Sequence, residues 1–119
     1  MIMNKDTVYL YWNNKKSGKS HKVAELYKEN GKFYFKYIVE NVKIALQDGF
    51  IYLIAFPNVN ATYESNDLFA CFVTRLPDKR RPEIRKILDT YGLKEYDEYE
   101  LLKKSEAKLP TDDYEFRRI

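Results

Sequence analysis

The dipeptide Asn30-Gly31 sits between two strand-like segments, residues 19–28 and 33–37. A two-residue hairpin turn needs positive φ at its centre, which Asn and Gly accept at the lowest steric cost, so the pair predicts an antiparallel hairpin. In the second arm Phe33, Phe35 and Tyr37 alternate and share one face. Val23 and Leu26 are the apolar anchors of the first arm. Upstream, residues 7–13 read TVYLYWN, rich in β-formers, and a polar stretch ending at Gly18 turns the chain back. The three segments predict an antiparallel meander.

After the meander the period changes. Val39, Val42 and Leu46 have helical spacing, and Gly49 can end that helix. Residues 50–55 form a continuous apolar run and read as a buried fourth strand, stopped by Pro57-Asn58. The second half reads as helical. Residues 68–76 carry Leu68, Phe69, Phe72 and Leu76, with Ser65, Asn66 or Asp67 as cap and Pro77 as stop. Pro82 suits the first turn of a second helix, whose Ile84, Ile87, Leu88 and Tyr91 share a face and which ends at Gly92. A third helix opens at Asp97, which with Glu100 forms a capping box, and Tyr96 and Leu101 have the spacing of a hydrophobic staple. Tyr114-Glu115-Phe116 adds a last strand. The fold class expected is α+β: an antiparallel meander sheet covered on one face by three to four short helices, in a single domain over residues 1–119.

Chemistry is sparse. The four glycines are scattered at positions 18, 31, 49 and 92, so neither a phosphate-binding loop nor a dinucleotide fingerprint exists. One cysteine and one histidine fall short of a zinc ligand set. Cys71, in an apolar stretch, reads as a small buried hydrophobe, and His21 as a surface residue. Asp112, Asp113 and Glu115 read as a solvated turn beside a strand. Asp97, Glu98 and Glu100 are explained by the helix dipole. No catalytic residue, cofactor or metal is expected. The longest apolar run is far too short to span a bilayer, which takes about 20 residues. No membrane partner is expected, and the lone cysteine fits a reducing cytoplasm.

Two features stand above this background. Arg75, Lys79, Arg80, Arg81, Arg85 and Lys86 are clustered around Pro77 and Pro82, opposed in that stretch by Asp78 and Glu83. Arginine suits bidentate contacts with anions and partners. The meander also carries Tyr9, Tyr11, Trp12, Phe33, Tyr34, Phe35 and Tyr37, part of which alternation sends out of the core. Eleven tyrosines and a net charge of +3 are compatible with a protein-contact face or a small nucleic-acid-binding module.

The opening VYLYWNNKKSG, the strand GKFYFKY and above all residues 68–105, LFACFVTRLPDKRRPEIRKILDTYGLKEYDEYELLKKS, carry a further signal. Phe69, Phe72, Leu76, Pro77 and Asp78, then Asp97, Tyr99, Leu101 and Leu102, resemble the helix–Leu-Pro–helix–loop–helix segment of the N-terminal subdomain of HipA-type toxin kinases. The chain departs from that family in ending before any nucleotide loop or catalytic aspartate, so kinase activity does not carry over. It also has Ser105-Glu106-Ala107-Lys108 where the family often has glycines. The resemblance implies a free-standing, HipS-like protein of a bacterial toxin–antitoxin system. Such a protein binds a HipA-like kinase in trans, with a DNA-binding HipB-like protein as a further member. Residues 58–69, with Tyr63 and Phe69, and the basic joint of Arg75, Lys79, Arg80, Arg81 and Arg85 are the expected contact surface.

Overall fold

The meander forms around two tight turns. In the computed structural model, which describes residues 5–118, β1 (Asp6–Asn14) pairs with β2 (Lys19–Glu29), and β2 pairs with β3 (Lys32–Tyr37), all antiparallel. Asn30 and Gly31 both take positive φ, 52° and 79°, as their turn requires. Helix α1 (Val39–Gln47) follows, then β4 (Thr62–Ser65) on the free edge of β3. Three short helices come next: α2 (Ala70–Val73), α3 (Ile84–Thr90) and α4 (Glu98–Ser105). Last, β5 (Tyr114–Arg117) closes the other side of the sheet against β1, giving the order β4-β3-β2-β1-β5. The fold is α+β, as expected.

Register decides which side chains enter the core. Val8, Leu26 and Phe35 lie in one row across β1–β3, Leu10, Ala24 and Tyr37 in the next, and all are buried. A bulge between these rows and the hairpin end leaves Val23 without a partner on β1. Val23 and Ala24 are therefore consecutive yet both buried, against the strict alternation of a regular strand. The bulge also positions α1, because the Val23 carbonyl accepts from the Ile38 N–H at 2.8 Å. Aromatic rings from the second half fill the same face. Phe35 stacks on Phe56 at 3.9 Å, Phe72 meets Phe116 edge-on at 5.0 Å, and Phe33 meets Tyr99 at 5.3 Å. Tyr99 is fastened at its polar tip, donating to the carbonyls of Asp6 and Leu26 at 2.6 and 3.3 Å.

Several expectations need correction. Residues 50–55 do not form a strand; they run as an irregular loop, and β4 takes the sheet edge instead. Only Phe50 and Phe56 at the ends of that loop are buried; Tyr52 and Ile54, which would share their face in a strand, are exposed. Leu46 is exposed, and α1 packs through Val42 and Ala45. The helix expected over residues 68–76 is four residues long. It has no side-chain cap, because Leu68 and Phe69 are drawn extended toward the core before it starts. Pro82 lies in the turn before α3 rather than inside it. His21 is buried, 8% exposed, because the bulge sets it opposite Trp12 on the covered face. Cys71 is exposed on α2.

Other local readings hold. Asp97 caps α4, accepting from the Glu100 N–H at 3.0 Å. Helix α3 ends in a Schellman motif: the Leu93 N–H bonds to the Leu88 carbonyl, the Gly92 N–H to that of Asp89, and Gly92 has φ of 73°.

Candidate protein-contact surface

The basic joint is less positive in space than in sequence. Arg80 forks onto Asp78, its Nη2 2.8 Å from Oδ2, and Arg81 pairs with Glu83. The Arg80 side chain and its own N–H hold the Asp78 carboxyl well below its usual range, at about 2. Arg85 binds Asp89 at 2.7 Å and donates to the carbonyls of Leu93 and Lys94, closing the loop after α3. These are exposed pairs, which add little stability but do offset charge. Lys79 and Lys86 make no ion pair among the described residues.

Arg75 behaves differently. Its side chain is only 10% exposed and reaches back across the fold. It forks onto Asp112, with Nη2 3.0 Å from Oδ1, and donates to the carbonyls of Ala107 and Tyr114 at 2.8 and 3.0 Å. Burial would raise the Asp112 pKa, but the Arg75 guanidinium and the Tyr114 N–H outweigh it and the carboxyl stays below its ordinary value. Asp112 is thus the anchor of the segment leading into β5, not part of a solvated turn. Glu115, also expected in that turn, is buried, where it accepts from Lys108 at 3.0 Å, from Asn13 at 3.3 Å and from Arg117.

Tyr63 and Phe69 sit at the rim of the core. Tyr63 packs against Phe56 at 4.9 Å, and its hydroxyl accepts from the Asn58 N–H at 2.8 Å. Phe69 packs edge-on against Phe56 at 5.2 Å. Between the Leu-Pro turn and the start of α4 lies an open groove of about 960 Å³. Its lining includes the apolar Phe33, Leu68 and Leu76 and the charged Lys79, Arg80, Asp97 and Glu98. The Tyr96 hydroxyl donates to the Pro77 carbonyl at 2.7 Å and holds one end of the groove closed. The structure therefore places Lys79 and Arg80 in the lining of one cleft and Arg81 in that of another, leaves Arg85 in neither, and turns Arg75 inward.

Sequence reasoning missed the most exposed apolar group. The loop after α1 presents Ile51 at 76% exposure and Ile54 at 99%, while Ile44 on α1 is 60% exposed. Ile54 and Ala55 form the corners of a turn closed by the Phe56 N–H on the Leu53 carbonyl at 2.9 Å. Turn corners are normally Gly, Pro, Asn, Asp or Ser. A large apolar side chain held fully in water at such a corner gains nothing for the free fold. The turn is fixed from below: Tyr37, buried, donates to the Phe56 carbonyl at 2.7 Å and accepts from the Leu53 N–H at 3.0 Å. The run of seven apolar residues from Phe50 to Phe56 marks this segment in the sequence, but it does not tell a buried strand from an exposed loop.

One polar cluster resembles hydrolytic machinery in residue type but not in arrangement. His21 Nε2 lies 2.9 Å from Asp48 Oδ2, and the Ser17 hydroxyl donates to the same oxygen at 2.8 Å. The aspartate stands between the other two, so the imidazole has no contact through which to take the serine proton. Its role in the fold is to tie the β1–β2 turn to the end of α1. Compared with known proteins, the chain matches no family model, no curated protein and no solved structure.

Proposed function

We propose that this chain is a non-catalytic interaction protein that binds and regulates a HipA-like Ser/Thr kinase in trans, as a HipS-like antitoxin or accessory subunit. The observation that carries the binding part is Ile54, fully exposed at a rigid turn corner with Ile51 beside it in the loop. Apolar groups displayed in this way mark contact surfaces, and a pre-fixed turn loses little entropy on docking. The kinase as partner rests on the likeness of residues 68–105 to the HipA-type subdomain. The fold supports that reading, since the segment forms helix, Leu-Pro turn, helix, loop and helix in the expected order. A subdomain separated from its kinase would keep the surface that once packed on the core. Lys79, Arg80 and Arg81 would supply the polar rim of the contact. A HipB-like DNA-binding protein belongs to the same proposed complex, and the proposed setting is the cytoplasm. Among the described residues no helix is long and apolar enough to cross a membrane.

The test is co-purification with the kinase encoded beside the gene, followed by assay of its activity. A stable complex with altered kinase activity supports the proposal. Absence of any complex at micromolar concentrations overturns it.

A further inference from the structure

The helices cover one face of the sheet and leave the other open. On the open face Tyr9 and Tyr11 project from β1, Tyr27 from β2 and Tyr34 from β3, as register requires for residues that alternate with the buried Val8, Leu10, Leu26 and Phe35. Tyr27 and Tyr34 are cross-strand partners and stack at 5.0 Å with their planes 15° apart. Cations lie between and over the rings: Lys5 4.2 Å from the Tyr27 centroid, Lys22 4.4 Å from Tyr9, and Arg117 4.1 Å from Tyr11.

The charge on this face is asymmetric. Glu25 is held by Lys5, Glu64 by Lys32, and Glu115 by Lys108 and Arg117. Glu29, at the far end of β2, is the acid not engaged in this way among the described residues. Lys22 and Lys36, nearer the centre of the sheet, have no ion pair among the described residues. The face thus offers flat rings interleaved with positive charge, which complements a ligand that has both stackable rings and phosphates.

We propose that the open face of the sheet binds single-stranded nucleic acid, with Tyr9, Tyr11, Tyr27 and Tyr34 stacking bases and Lys22 and Lys36 contacting phosphates. The lysines that rest on rings in the free protein make exposed cation–ring contacts, weaker than a base stack. They have stems long enough to move from ring to phosphate as a base arrives. Stacking on aromatic rings is open to every base, so binding is expected to tolerate sequence. This surface is separate from the Ile54 turn and from the basic joint, so it stands or falls apart from kinase binding.

The experiment is fluorescence anisotropy of labelled oligothymidylate and oligouridylate of about 12 nucleotides, titrated with the full chain. Two phosphate contacts should weaken affinity about 5- to 10-fold between 50 and 200 mM salt. Tyr27→Ala and Tyr9→Ala should each weaken it at least about 5-fold. Tyr27→Phe, which keeps the ring, should bind as the parent does, and Arg80→Glu with Arg81→Glu should leave affinity unchanged. No anisotropy change at the lowest salt, or binding that survives Tyr9→Ala plus Tyr27→Ala in a variant with a parent-like melting curve, overturns the proposal. So does loss of kinase binding by the tyrosine variants without any oligonucleotide binding, which would make the face a protein surface.

Discussion

The hydroxyl of Tyr37 donates to the main-chain carbonyl of Phe56 across 2.7 Å, beneath the turn that displays Ile54. The same oxygen accepts from the Leu53 N–H, so one side chain fixes both ends of the turn. Tyr37→Phe leaves both backbone groups short of a partner. It is expected to cost about 1–3 kcal/mol in urea denaturation, with faster hydrogen exchange at Leu53. Unchanged exchange at Leu53 would show that the turn does not depend on this clamp.

The same residue gives an alkaline signature. Burial holds the Tyr37 phenol in its neutral form and pushes its pKa up to about 12, from 10.0. A raised folded-state value means that the contribution is complete below 10 and is lost as pH rises through 12. Unfolding free energy measured from pH 9 to 12 should therefore fall through that window in the parent. The fall should be shallower in Tyr37→Phe.

Arg75 and Arg80 should separate cleanly although both belong to the basic joint. Arg75→Ala strands Asp112 and frees the carbonyls of Ala107 and Tyr114, and a loss of about 3 kcal/mol is expected. Arg75→Lys should not restore it, because an ammonium cannot reproduce the planar fork. Arg80→Ala, on an exposed and solvent-screened pair, should melt close to the parent. Thermal melts of the three variants decide this, and equal losses would contradict the assignment of Arg75 to the fold.

The acid limb should report on Asp48. Its carboxyl is held below the ordinary value of 3.8, first by the bond with His21 and then by that with Ser17. A lowered folded-state value contributes stability that is complete above 3.8 and is lost as pH falls through the depressed value. Asp48→Asn should flatten the stability profile on that limb, and an unchanged profile would place the acid sensitivity elsewhere.

The meander, the Asn30-Gly31 turn, the Asp97 cap and the Gly92 helix end were legible because each is set by neighbours in sequence. The exposed turn was not. An apolar run with no polar interruption reads as a buried strand, and only the closing of the sheet edge by Thr62–Ser65 shows that residues 50–55 have no place there. His21 was misjudged for a related reason, since a single bulge at Val23 decides which face it enters. The basic joint was visible as composition. Its division into an inward Arg75 and locally paired Arg80, Arg81 and Arg85 depends on contacts up to 39 residues away.

The most direct measurement is the affinity of the Ile51→Asp, Ile54→Asp variant for the proposed kinase partner by calorimetry, beside the parent chain. Both side chains are exposed, so the variant should melt as the parent does. Affinity should fall at least about 100-fold, since truncation at an apolar hot spot costs 2 kcal/mol or more and the new charges must also be buried. Parent-like affinity in a folded variant would contradict the placing of the contact at this turn.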